Sequence, residues 1–97
     1  GPRLVGLKPI KPDSQIISGS HMFNLKDKLN AENDLGYITS SCYSPTLNSF
    51  IALGFLKDGN NRHGDKIKVS NPLLNKEVVA EVCNPIFVDP NGDRLRG

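Results

Sequence analysis

An all-β domain closed into a small barrel is the fold this sequence predicts, on three observations. Apolar residues alternate with polar ones in short segments, or fill both parities of one segment. Clusters of Gly, Pro and Asn separate those segments, and a helical period persists for no more than a turn or two. The 97 residues suffice for one modest core and not for two, so residues 1–97 are read as a single domain. A β-sandwich is the second architecture that the pattern allows.

The elements follow in chain order. Gly1-Pro2 reads as the remnant of a protease-cleaved tag, whereas "GSHM" (19–22) lies inside the chain and reads as native. In "RLVGLKPI", Val5 and Leu7 share one face of a strand, and Pro9 and Pro12 remove backbone donors at its exit. "QIISGSHMFNL" is a second strand candidate, broken at Gly19 and loosely paired. "LKDKLNAENDLG" places Leu25 and Leu29 four apart among charges, a surface loop with a weak helical signal. "GYITSSCY" is a strand setting Ile38, Ser40 and Cys42 against Tyr37, Thr39, Ser41 and Tyr43, with either face inward.

Ser44 before Pro45 is an N-cap arrangement, so "SPTL" makes one short turn. "SFIALGFLK" is apolar on both parities, which predicts a strand covered on two sides and the centre of the core. "DGNNRHGD" turns the chain, and "KIKVS" alternates with Ile67 and Val69 inward. "NPLLNK" turns it again. "EVVAEVCNPIFV" is the last long strand, closed by the turn "DPNGD" and a short tail.

Composition narrows the chemistry. Charged residues make up 23% and the formal net charge is +2, so neither disorder nor a strongly charged partner is indicated. No apolar run approaches the roughly 20 residues that cross a bilayer, and the expectation is a cytoplasmic protein. Cys42 and Cys83 lack CxxC or Cys/His spacing and are expected to be buried thiols rather than a disulfide or metal ligands. His21 and His63 each stand apart from any acid at ligand spacing, so surface or turn roles are expected. Ser40, Ser41 and Ser44 sit in no nucleophile elbow, and no glycine-rich phosphate cradle is present. A free-standing catalyst is therefore not expected.

Taken together, "GYITSSCYSPTLNSFIALGFLKDG", "RHGDKIKV" and "NPIFVDPNGDRLRG" resemble the C-terminal barrel of the glycine-cleavage T-protein (aminomethyltransferase) family. Within it, the likeness is greatest to the C-terminal end of the alpha subunits of heterotetrameric sarcosine oxidases. "RLVGL" fits the family's first strand, so the resemblance covers nearly the whole chain and is weakest over residues 25–35.

The resemblance implies a six-stranded Greek-key barrel, non-catalytic itself, packed against two larger folate-binding domains. The parent enzyme would oxidatively demethylate sarcosine and pass the one-carbon unit to tetrahydrofolate. Its flavin and NAD sites lie outside this chain, and no cofactor is expected on the isolated domain. The implied partners are the remaining domains of the same subunit and the other sarcosine oxidase subunits, with neither membrane nor nucleic acid expected. Tyr43, Ser44 and Pro45 would form a docking edge near the folate cavity. Arg94 and Arg96 fall where the family's tail approaches the folate side, and a guanidinium there could pair with the cofactor's glutamate carboxylate. Readings from other classes are a small nucleic-acid-binding barrel, with Lys57, Arg62, Lys66 and Lys68 facing phosphates, and a protein-interaction module.

Overall fold

Strands form where the sequence alternates and stop where Pro, Gly or Asn takes over. The computed structural model describes residues 1–90. Its strands are β1 (Pro2–Pro9), β2 (His21–Asn24), β3 (Gly36–Ser44), β4 (Ser49–Lys57), β5 (Lys66–Asn71) and β6 (Lys76–Cys83). They close as a barrel in the order β1-β4-β3-β2-β5-β6, every pairing antiparallel. Consecutive strands β2, β3 and β4 lie side by side, and β1 returns beside β4, which is Greek-key connectivity. The sandwich alternative is thereby excluded.

Period-two patterning decides what goes inside. Val5 and Leu7 of β1, Ala52 and Leu56 of β4, Ile67 and Val69 of β5, and Ala80 and Val82 of β6 all enter one buried cluster. Met22 of β2 and Ile38 of β3 complete it, and Ile16, from the crossover between β1 and β2, is buried in the same cluster. A fully buried Val, Leu or Ile contributes roughly 1.5–3 kcal/mol, so this filled interior is the main source of stability.

A second, smaller cluster lies on the outer surface. Ile51 and Cys83 are buried there beneath Val88, with Cys42 and Leu53 packed against them. Gly6 makes that close approach possible, because a Cβ on it would stand 2.9 Å from Val88 Cγ2 and 3.0 Å from Cys83 Sγ. The segment after β6 is thus pinned across β1.

Two expectations are corrected by backbone chemistry. The pairing of β3 with β4 slips between Ile38 and Ser40, leaving Thr39 as an extra residue whose hydroxyl donates to Leu53 O at 3.2 Å. This bulge reverses the parity, so Ile38 points into the barrel while Ser40 and Cys42 pair opposite the outward Leu53 and Ile51. The last strand ends at Cys83 and does not run on to Val88. Pro85 has no N–H for a ladder, and Asn84 Oδ1 accepts from Ile86 N at 3.1 Å, which caps a 3-10 turn at Pro85–Phe87.

The remaining connections behave as the turn residues require. The loop after β2 holds only a single 3-10 turn, Ala31–Asn33, capped by Asn30. The second strand begins only after Gly19, whose φ of 85° suits glycine. Gly36 starts β3 with φ 152°, and a Cβ there would sit 1.8 Å from Phe55 O. Gly36→Ala is accordingly expected to destabilise the barrel by about 2–4 kcal/mol, read as a lower denaturant midpoint with an unchanged slope.

Candidate functional site

The packed interior leaves the outside of the barrel as the place for function. Among the described residues, every buried side-chain nitrogen or oxygen has a partner, and no cluster of three His, Cys, Asp or Glu could hold a metal. Candidate positions therefore lie on strand faces and loop tips.

The hydroxyl-rich loop is the tip of the β3–β4 hairpin. Ser44 is buried and its Oγ accepts from Leu47 N at 3.2 Å, so the expected capping role is met within a four-residue turn that Asn48 closes at φ 51°. Tyr43, 44% exposed, packs edge-on against Phe50 at 5.2 Å and 80°, and its hydroxyl donates to Asn48 Oδ1 at 2.5 Å. Pro45 is exposed. Of the three residues assigned to a docking edge, Ser44 shapes the turn from inside, while Tyr43 and Pro45 present surface. Arg94 and Arg96 lie outside the described residues.

A second constellation went unread in the sequence. Register sets Leu4 of β1 opposite Phe55 of β4, Phe55 opposite Tyr37 of β3, and Tyr37 opposite His21 of β2. All lie on the outward parity, since Val5, Leu56 and Ile38 point in. The rings approach one another, Tyr37 to Phe55 at 5.9 Å and His21 to Tyr37 at 6.3 Å. At the end of the row, His21 Nδ1 lies 2.5 Å from Asp34 Oδ2, and Asp34 Oδ1 accepts from Gly36 N at 3.0 Å. The carboxylate is thus held by backbone while it orients the imidazole. His21 and Asp34 are far apart in sequence, and only the β2–β3 pairing brings them together.

The basic residues proposed to face phosphates are partly spent inside the molecule. Arg62 Nε pairs with Asp65 Oδ2 at 2.9 Å, and its Nη2 donates to Asn24 Oδ1 at 2.7 Å. Lys68 Nζ donates to the carbonyls of Leu25 and Asp27, at 3.3 and 3.1 Å. These bonds fasten the loop after β2 to β5 and do not leave a ready phosphate patch.

Comparison with known proteins decides the family. The family model described as the glycine cleavage T-protein C-terminal barrel domain matches residues 3–89. The chain belongs to this family. The chain is also 44% identical over 94 residues to the sarcosine oxidase subunit alpha of Rhizobium meliloti (strain 1021), covering 97% of this chain and 10% of that one. It therefore spans about a tenth of that relative's length. The crystal structure of glycine cleavage system aminomethyltransferase T from Bartonella henselae shares its fold, with a TM-score of 0.65 at 23% identity, over 91% of this chain and 22% of that one. Among the described residues, no helix is long and apolar enough to cross a membrane.

The cysteines divide by environment. Neither forms a disulfide, although Cys42 packs against the cluster that holds Cys83. Cys83 is buried, and Cys42 is only half-buried, contrary to the expectation that both are buried. Burial pushes the Cys83 thiol up, against a smaller pull down from Lys8 and a push up from Glu81. A native thiol reagent should label Cys42 first and Cys83 only as the barrel opens. A raised thiol pKa also means that stability is intact below the ordinary thiol value of about 8.5 and falls as pH rises beyond it, because the unfolded thiol ionises first. Denaturant midpoints across that range should show an alkaline loss that Cys83→Ala diminishes.

Proposed function

We propose that this chain is the closing, non-catalytic barrel of a folate-dependent one-carbon enzyme of the sarcosine oxidase alpha-subunit type. In that enzyme, sarcosine is oxidatively demethylated and its one-carbon unit is passed to tetrahydrofolate. The observation that carries the reading is the 44% identity over 97% of the chain to a subunit ten times its length. A domain so small within a large chain, with a filled interior, contributes surface rather than a reaction centre.

The folate role is correspondingly modest. Every buried polar side chain among the described residues of the barrel has a partner. The barrel would supply one wall of a cavity whose other walls belong to larger domains of the same polypeptide. Arg94 and Arg96 are the residues suited to meet the cofactor's carboxylate, and the exposed tip at Tyr43 and Pro45, shaped by Ser44, is the edge suited to dock near it. Tetrahydrofolate, when bound, supplies the one-carbon acceptor. Flavin and NAD chemistry belongs to other domains, the other oxidase subunits are further partners, and the enzyme is cytoplasmic.

The test uses the full polypeptide with and without this barrel. The 97-residue chain alone should show no sarcosine oxidation and no one-carbon transfer. The polypeptide lacking the barrel should lose tetrahydrofolate-dependent capture of the one-carbon unit and release it as formaldehyde. Undiminished capture without the barrel would overturn the proposal.

A further inference from the structure

A groove on the outside of the barrel joins the oriented imidazole to an apolar surface. It lies where β2, β5 and the loop after β2 meet, has a volume of about 240 Å3, and is lined by Phe23, Leu29 and Pro72 together with His21, Asp34 and Ser70. Phe23 lies on the parity opposite the inward Met22 and yet is only 6% exposed, so the groove has an apolar floor outside the barrel's own core. Ser70 stands directly opposite His21 in the β2–β5 pairing, which on adjacent strands sets the two Cβ atoms about 4.5–5.5 Å apart.

The hydrogen bonds already made decide what the groove accepts. Asp34 Oδ1 takes the Gly36 N–H at 3.0 Å, and Oδ2 lies 2.5 Å from His21 Nδ1. That contact calls for a proton on Nδ1, so in the neutral imidazole Nε2 carries a lone pair and accepts. The Ser70 hydroxyl both donates and accepts. A ligand hydroxyl placed between them satisfies both, its O–H donating to Nε2 and its oxygen accepting from Ser70. An ionised carboxylate has no proton to give and would meet the Asp34 charge at close range. An ether has no donor and leaves Nε2 without a partner.

We infer that this groove is a binding site for a small aromatic alcohol of the phenol class. Its volume falls below the roughly 300 Å3 at which drug-sized pockets begin, which holds the ligand body to about one ring. Phe23 offers such a ring an attraction beyond the area it buries, and Leu29 and Pro72 flank it. The inference stands apart from the folate reading. It uses neither the hairpin tip at Tyr43 and Pro45 nor Arg94 and Arg96, and it holds for this barrel in any parent polypeptide.

The test is an NMR titration of the 15N-labelled 97-residue chain with three probes of one size class, p-cresol, p-methylanisole and p-toluate. Addition of p-cresol should give saturable shifts confined to the amides of Phe23, Leu29 and Ser70 and to the His21 imidazole nitrogens. The anisole, which lacks the O–H, and the toluate, which carries a charge instead, should each bind at least about tenfold more weakly. Ser70→Ala and His21→Phe should each weaken p-cresol by about the same factor and bring it level with the anisole. Amide shifts away from the groove report whether each variant is folded, and the comparison of probes on the unaltered chain decides the matter even where a variant is not. Shifts that do not saturate or that scatter over the surface would overturn the inference. Equal binding of p-cresol and p-methylanisole would overturn it as well, since the groove would then be apolar only, and so would a preference for p-toluate.

Discussion

Strand β1 is hydrogen-bonded on both sides, to β4 along most of its length and to β6 from Gly6 to Pro9, and this double pairing closes the ring. A six-stranded sheet without it would expose two edges and a half-open core. With it, the inward residues of all the strands face one another. Pro9 is tolerated because it ends the strand, and Ile10 N resumes the bonding by donating to Val79 O at 2.9 Å. Closure also brings Cys83 beside Gly6, the one residue small enough to let Val88 lie across the seam. The outer cluster of Ile51, Cys83 and Val88 thus reinforces the junction from outside.

A closed ring filled by side chains determines what this module can do. Among the described residues the interior is filled by apolar side chains, and recognition falls to the wall and the hairpin tips, where rigid strands fix the side chains of loops and outward rows. The wall shows how little is needed to create a surface. Glycine at position 36 admits the Phe55 carbonyl, β3 can then lie close to β4, and Tyr37 comes to rest against Phe55. Asp34, two residues earlier, binds the Gly36 amide and turns to His21. One local backbone feature therefore organises both the aromatic contact and the oriented imidazole.

Local chemistry made much of the fold legible. The two apolar parities of β4 meant cover on both sides, and β4 indeed runs between β1 and β3 with Ala52 and Leu56 inward and Ile51 beneath Val88. The clean alternation of Ile67 and Val69 gave the inward face of β5, and Ser44 capped its turn as its position before Pro45 implied. The errors came where pairing overrides pattern. A single extra residue, Thr39, inverts β3, and nothing in "GYITSSCY" marks which residue will be unmatched. The end of β6 could have been placed from Asn84 and Pro85, a cap and a missing donor in succession. The wall constellation was not legible at all, because His21 and Asp34, like Tyr37 and Phe55, become neighbours only through strand register. Tyr43 was legible as surface, but its bond to Asn48 depends on the hairpin's own geometry.

The central claim is that the β1–β6 seam holds the ring shut and that the module works as one rigid body. Native-state hydrogen exchange as a function of denaturant tests it most directly at the seam amides of β1 and β6. The account predicts that they exchange only through global unfolding, with the same denaturant dependence as the amides between β1 and β4. Seam amides that exchange by a local opening, nearly independent of denaturant, while the β1–β4 amides stay protected would contradict it.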